Sequence, residues 1–339
     1  MQFINKLFSL LILFLLVIGC STDSNEIYRD VAVVTVEDEY LTPRDEQDNL
    51  DSPAIWHGAG GEHWLLATAK ETDVILAYDA TNGRLIERFA GSGVDPGQLD
   101  RPNGIAVIDS FVFIVERDNN QIQVFSLTSF RSVGIAGQTE LLRPYGLTVF
   151  KTDTLTYQVY VTDNYEDPGE RVPASEELDE RIIHFAFEYE DGRMYGDVEK
   201  TFGATSGDGM LNVVESIAAD TLFNRLLIAD EFEKEKNIKI YNLQGKFTGQ
   251  VLGDSLFRYE PEGIALYSTG DSTGYWFTTD QDEKDNRFYI FDRRSLDYLG
   301  SYTGKTTSNT DGIALSSRAF GDFEGGAFVA VHDDGNVAA

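Results

Sequence analysis

One short phrase recurs six times along this 339-residue chain, and it limits the fold more than any other feature. The phrase is a polar residue, then a small residue, then an apolar pair leading into a strand. It reads DSPAIWH from Asp51, RPNGIAV from Arg101, RPYGLTV from Arg143, VVESIAA from Val213, YEPEGIAL from Tyr259 and NTDGIAL from Asn309. The small residue serves as a marker: Ala54, Gly104, Gly146, Ser216, Gly263 and Gly312. Successive markers lie 50, 42, 70, 47 and 49 residues apart. Self-similarity at such a period marks an array of one supersecondary unit.

Each marker leads on to a second strand: HWLLATAK, FVFIVERD, YQVYVTDN, RLLIADEF, YWFTTDQD and AFVAVHDD. A third follows in DVILAYD, NQIQVFSL, RIIHFAFE, NIKIYNL and NRFYIFD. A turn and a fourth strand close the unit, as in NGRLIERFAG and QGKFTGQVLG. Alternation with period two, rich in β-branched and aromatic residues, signals strands. Four strands per unit of this length is the propeller pattern. The expected fold is therefore all-β, a six-bladed β-propeller over 31–339. The long third interval holds an insertion, Glu166 to Glu180, with Pro168, Gly169 and Pro173 among acidic residues, which reads as a loop. The sixth blade shows only two strands before Ala339. The segment from Asp30 to Val36 is the candidate to close the ring, and a missing C-terminal strand is the alternative.

The first twenty residues read as a lipoprotein signal. Lys6 precedes an apolar run from Leu7 to Ile18, and Val17-Ile18-Gly19 leads into Cys20. The run is too short to span a bilayer, which takes about 20 residues. Cys20 is the expected lipidation site, with 21–30 a short linker, and the chain is expected to be exported and anchored to an outer membrane or cell surface, or secreted. Cys20 is the only cysteine, so the domain needs a core that is stable without disulfides. No cysteine-based zinc site exists, and the four histidines show no metal-ligand spacing.

The formal net charge of −30 excludes nucleic acid as a partner for most of the surface, because phosphate binding needs a basic face. Much of this charge is a solvated acidic surface. Part of it is placed more pointedly. In a propeller the first strand of each blade lines the channel, so the residue before each marker lies near the axis: Pro53 (with Asp51 two earlier), Asn103, Tyr145, Glu215, Glu262 and Asp311. Loops after the second strands reach the same end with Lys70, Glu116 and Arg117, Asn164, Glu231, and Asp280 with Gln281. Carboxylates and amides in such number suit calcium, which takes six to eight oxygen ligands. Lys70 and Arg117 among them suit a phosphate held beside the metal.

At these phrases the chain resembles the β-propeller phytases, from about Asp48 to Asn336, in blade order. The matching segments include DSPAIW, TAKETDVILAYD, VERDNNQIQVF, PYGLTVF, VVESIAADTLFNRLLIADE, PEGIALYSTGDSTGYWFTTDQ, NTDGIAL and AFVAVHDDGN. That family hydrolyses phytate, the hexakisphosphate of inositol, as its calcium salt. The resemblance implies that Asp51, Glu215, Glu231, Glu260, Glu262, Gln281 and Asp311 hold several calcium ions, directly or through water. It places Asn103 and Tyr145 on the same site. It implies that Lys70 and Arg117 grip the phosphate to be cleaved and that Glu215 orients the attacking water. The implied substrate is calcium-phytate or another phosphomonoester, and a monomer is expected.

The departures from the family are specific. Glu71 stands where the family has a second lysine, and a lysine expected near Asn164 is absent. Ser52 replaces a second aspartate, Lys305 an aspartate six positions before Asp311, and Glu260 an aspartate. The lost lysines would serve a second, non-cleaving phosphate site, so weaker phytate binding is expected. RPNGIAV and RPYGLTV also resemble NHL-type repeats, which makes a non-enzymatic binding propeller the main alternative. A metal-dependent lactonase is a second, disfavoured by Lys70 and Arg117. GSYTGKT from Gly300 is one residue short of a nucleotide-binding loop and precedes no helix. No G-x-S-x-G elbow occurs, and Asp280 to Asp285 lacks the glycine of an EF-hand.

Overall fold

The computed structural model describes residues 33–339 with the exception of Thr128. Cys20, the apolar run before it and the 21–30 linker lie outside the described residues, as do positions 31 and 32.

Six antiparallel sheets follow one another along the chain. Their inner strands are Leu50–His57, Pro102–Ile108, Pro144–Asp153, Val214–Asp220, Glu260–Ser268 and Ile313–Ser316. Each inner strand touches those of the two neighbouring sheets, and the sixth returns to the first, so the sheets close into a ring of six blades. The strands fall where the alternating segments of the sequence place them. Ser175–Glu177, a single 3-10 turn, is the only helix among the described residues.

The core is not central. Among the described residues it divides into six apolar clusters, each between two adjacent blades. Phe113, Tyr157 and Phe187 pack blade two on blade three, for example, and Ile240, Trp276 and Phe291 pack blade four on blade five. This arrangement follows from the sequence. The second and third strands carry apolar residues at nearly every position, as in FVFIVE of Phe111–Glu116, because both faces of a blade are covered. The fourth strands alternate or are exposed, as in Leu85–Ala90, because they form the outer rim.

A β-bulge repeats in the inner strands. In blade one Leu50 pairs with Ala69 and Pro53 with Ala67, so three steps on the inner strand oppose two on its neighbour. The same slip lies between Pro102 and Ile105, Pro144 and Leu147, Val214 and Ile217, and Pro261 and Ile264. This register corrects the marker in blade one. Ser52, not Ala54, is the counterpart of Gly104, and Asp51, not Pro53, takes the axial position. Ser52, Gly104, Gly146, Ser216, Gly263 and Gly312 line a cavity of about 80 Å³ on the axis.

The markers are small because adjacent inner strands nearly touch there. A Cβ on Gly146 would lie 2.2 Å from the Glu215 carbonyl oxygen, and one on Gly104 2.7 Å from that of Tyr145. Two threonines fasten the same contacts. The Thr68 hydroxyl donates to the carbonyl of Asn103 in the next blade (2.7 Å), and the Thr162 hydroxyl to that of Glu215 (2.7 Å). Gly146→Ala is thus expected to cost roughly 1–3 kcal/mol, as overpacking does. A lower urea midpoint with unchanged slope checks it. An unchanged midpoint would mean the strands can part freely.

Ring closure differs from the expectation. Val34–Val36 does not complete blade six. It pairs in parallel with Tyr298–Gly304, the outer strand of blade five. The segment after it closes the ring instead. Amides of Glu39 and Thr42 donate to the carbonyls of Ala339 and Val337, and Ala339 donates back to Tyr40. Blade six also has a third strand from the C-terminal residues, Asn336–Ala338, which is too short to register as a periodic pattern.

Candidate metal centre

In blades one to five the bulge turns one residue to the axis, in blade six Asp311 just ahead of Ile313–Ser316 takes that place, and the ends of the second strands of blades one to five add another set. In blade order the first set is Asp51, Asn103, Tyr145, Glu215, Glu262 and Asp311. By the same register the second set is Lys70, Arg117, Asn164, Glu231 and Gln281 in blades one to five. These two sets contain the residues to which the family resemblance gives a role, apart from Glu260.

They form two unlike halves. In one, a lysine of the chain offsets part of the charge of two aspartates. The Lys70 ammonium lies 3.1 Å from Asp51 Oδ2 and 2.9 Å from Asp311 Oδ2. Asn103 Nδ2 donates to Asp51 Oδ2 (3.2 Å), the Ser52 hydroxyl to Asp51 Oδ1 (2.7 Å), and Gln281 Nε2 to Asp311 Oδ1. Burial here is nearly complete: Asp51 is 2% exposed, Lys70 9% and Asn103 0%. Burial opposes the charge of Lys70, but Asp51 and Asp311 outweigh it and hold the ammonium above its usual range.

In the other half, charges are not matched. Glu215, Glu231 and Glu262 offer carboxylate oxygens that all lie within 4.8 Å of one another. Tyr145 hydrogen-bonds to Glu215. Burial, with the charges of Asp51 and Asp311, pushes the Glu215 carboxyl up to about 8. Burial and the neighbouring glutamates push Glu231 and Glu262 well above the carboxylate range. Burial likewise raises Asp311 to about 7. Five carboxylates here face one ammonium. Such an excess is costly in a dry site unless protons or cations offset it.

A hard cation fits this donor set. The ligands are all oxygen, as calcium prefers. Glu231 Oε1 is buried without a hydrogen-bond partner, and so is Asn103 Oδ1. Native structures rarely leave such atoms unpaired, and an ion is one thing that satisfies them. Asp334, which sequence reasoning did not single out, adds negative charge towards Lys70 and Asp51. Its signal was present in the HDD that follows the second strand of blade six.

Three expected residues stand apart from the network. Glu260 is exposed and reaches Glu231 only through its field. Arg117 is held by Asp118, at 2.7 Å from Nε and 3.2 Å from Nη2. Asn164 Oδ1 accepts from the Val214 amide (3.3 Å). The acids one position earlier, at the strand ends, have another task. Asp163 accepts from the amides of Leu142 and Arg143, Asp230 from Asn212 and Val213, and Asp280 from Arg258 and Tyr259. They cap the loop that delivers each axial residue, which is why those loops hold their shape. Glu116 does the same through Asp100 and three side-chain amides.

Blade four shows how a wholly buried cation supports this framework. Lys239 donates to Asp230 Oδ2 (2.8 Å), to Glu235 and to the Met210 carbonyl. The Asp230 carboxylate so held accepts from the amides on both sides of the site, Val213 and Phe232 (3.1 Å each). The acidic insertion of blade three is tied down similarly. Buried Arg181 donates to the carbonyls of Asp163, Tyr165, Leu211 and Asn212, and its guanidinium lies 4.5 Å from the centre of the Tyr165 ring.

Fold and site together define a six-bladed β-propeller with a carboxylate cluster, half-buried at Glu215 and Glu231 and buried at Glu262, at one end of its axis. No protein-family profile matches the chain, and no curated protein matches it. Among solved structures, a chain of a nidogen/laminin complex is similar at 14% identity, over 78% of this chain and 84% of that one, with a TM-score of 0.49.

Proposed function

We propose that this face binds calcium and hydrolyses phosphomonoesters, with phytate the substrate to try first. The observation that carries the reading is the convergence of Glu215, Glu231 and Glu262 at the axis, their carboxylate oxygens within 4.8 Å of one another. Asp51, Glu215, Glu231, Glu262, Gln281 and Asp311 would hold the metal ions, with Asn103 beside them and Glu260 at the rim. Bound calcium would screen the phosphate oxygens and make a bound water more acidic.

The chain's own groups suit the remaining tasks. Glu215 has Tyr145 and the other glutamates as neighbours, and bound cations that hold it deprotonated would leave it free to orient the attacking water and accept its proton. Tyr145 fixes its direction. Lys70 and Arg117 are the cations nearest the face and would meet the anion, Arg117 by turning from Asp118. Glu71, which replaces a family lysine, pairs with Arg101 at 2.7 Å and supplies no positive charge. Binding of a second phosphate is therefore expected to be weak.

A second reading is favoured by one observation. Both cations are already engaged, Lys70 by two aspartates and Arg117 by Asp118. On that reading the propeller binds calcium without hydrolysis. Phosphate release from phytate and from a simple phosphomonoester, with calcium and with a chelator, separates the two. Glu215→Gln is expected to lower calcium-dependent release at least about a hundredfold, the usual weight of a proton-transferring group. Absence of release by a folded wild-type protein that binds calcium would leave the second reading.

A further inference from the structure

We infer that Lys70 is a built-in counter-ion occupying a second cation site, and that a phosphate drawing it away opens that site to a divalent cation. The inference rests on the reading of this face as a calcium centre but goes beyond it.

The geometry is that of a cation site already filled. Lys70 Nζ sits between two carboxylate oxygens from different blades, Asp51 Oδ2 and Asp311 Oδ2. The remaining oxygens of both aspartates accept from neutral donors, Ser52 and Gln281, so the pair is held open toward Nζ. Asn103 points independently to a ligand. It is wholly buried, donates from Nδ2 to Asp51, and keeps Oδ1 without a partner. An ammonium cannot use all of these oxygens, having three protons, whereas calcium takes six to eight.

The two halves of the face then respond differently to calcium. The glutamate half has no cation of its own and takes an ion directly. In the aspartate half Lys70 already offsets one of the two charges and fills the space between them, so an ion enters only when Nζ leaves. A phosphate is a stronger partner for a displaced ammonium than bulk water. Its arrival would leave Asp51 and Asp311 as two buried, unpaired carboxylates, which is the state that binds calcium. Phosphate and one calcium ion are thereby linked, each raising the other's affinity by the same factor.

The experiment counts ions calorimetrically on the full metal-free chain, with calcium and with inorganic phosphate as the probe anion. For the wild type, phosphate is expected to add one calcium ion. For Lys70→Met the extra ion is expected without phosphate, and phosphate no longer changes the count. Asp311→Asn leaves Lys70 paired one to one with Asp51 and removes one of the two carboxylates the ion would need, so phosphate is expected to add no ion to it. Equal counts in the wild type and Lys70→Met under both conditions overturn the inference. If Lys70→Met does not fold, an equal response of wild type and Asp311→Asn to phosphate overturns it as well. A wild type that binds no calcium beside a Lys70→Met that binds one would sustain the counter-ion while removing the glutamate centre.

Discussion

Lys239→Met is expected to destabilise the propeller by about 3–5 kcal/mol, the usual cost of removing one partner of a buried ion pair. Both Lys239 and Asp230 are wholly buried. Methionine fills similar volume, so the loss is electrostatic rather than a cavity. It leaves the Asp230 charge, the Glu235 carboxylate and the Met210 carbonyl short of a donor. The effect should extend to the metal centre, because Asp230 holds the amides that flank Glu215 and Glu231. Chemical denaturation reads the first effect, and calcium titration of the surviving folded protein reads the second. Lys239→Met with Asp230→Asn should recover part of the stability, since no unpaired charge then remains. A single substitution costing under about 1 kcal/mol would show that water reaches this pair and that the loop is held by other means.

Without calcium, raising the pH from about 5 to 9 is expected to weaken the fold, and calcium is expected to reverse that trend. The sign follows from Glu215. Its carboxyl is pushed up to about 8 from a reference of 4.5, so the folded chain holds a proton that the unfolded chain has released. Stability from this group is complete below about 4.5 and is lost as the pH climbs through about 8. Glu231 and Glu262 shift in the same direction. On the proposed reading calcium binds the deprotonated cluster, so its stabilising effect is expected to grow over the same interval, reaching about 2.7 kcal/mol at a hundredfold excess over its dissociation constant. Thermal melts at pH 5 and pH 9, each with calcium and with a chelator, give the four values needed. A calcium-free protein more stable at pH 9 than at pH 5 would mean that the cluster is not the dominant titrating group.

The repeat made the blade count and nearly every strand readable, because each inner strand needs a small residue where its neighbour's backbone passes. It failed in blade one for a local reason. Ser52 and Ala54 are both small, and only the bulged pairing of Leu50 with Ala69 and Pro53 with Ala67 decides between them. The axial glutamates were readable from their fixed place before the marker. What the residues become to one another was not. Nothing in the order of letters separates Lys70, committed to two aspartates from opposite ends of the chain, from Arg117, committed to its immediate neighbour. Asp280 resembled a ligand by position, and only its bonds to the Arg258 and Tyr259 amides show it to be a loop cap like Asp163 and Asp230. The segment that closes the ring, around Tyr40 to Asp45, carries no alternating pattern, because it follows the C-terminal strand through a few amides only.

Those few amides set the order in which the protein can be assembled. Apart from Val34–Val36 on the rim of blade five, blades one to five are each built from one continuous stretch, so neighbouring hairpins can form as soon as their residues exist. Blade six cannot. Its edge joins Thr42 to Val337, and the chain between them must be brought round to a single point. Closing a loop of that length costs about 5 kcal/mol of chain entropy beyond a fixed term. No local contact offsets this until the seam is made. The apolar cluster between blades five and six is also the smallest of the six, with Ala265, Phe288, Ile313 and Ala330 at its centre. Folding should therefore pass through an open crescent of five blades, and that crescent lacks Asp311. The axial carboxylate cluster is then completed among the last features to form, and an ion that bridges Asp51 and Asp311 would act as a clasp across the two ends of the chain.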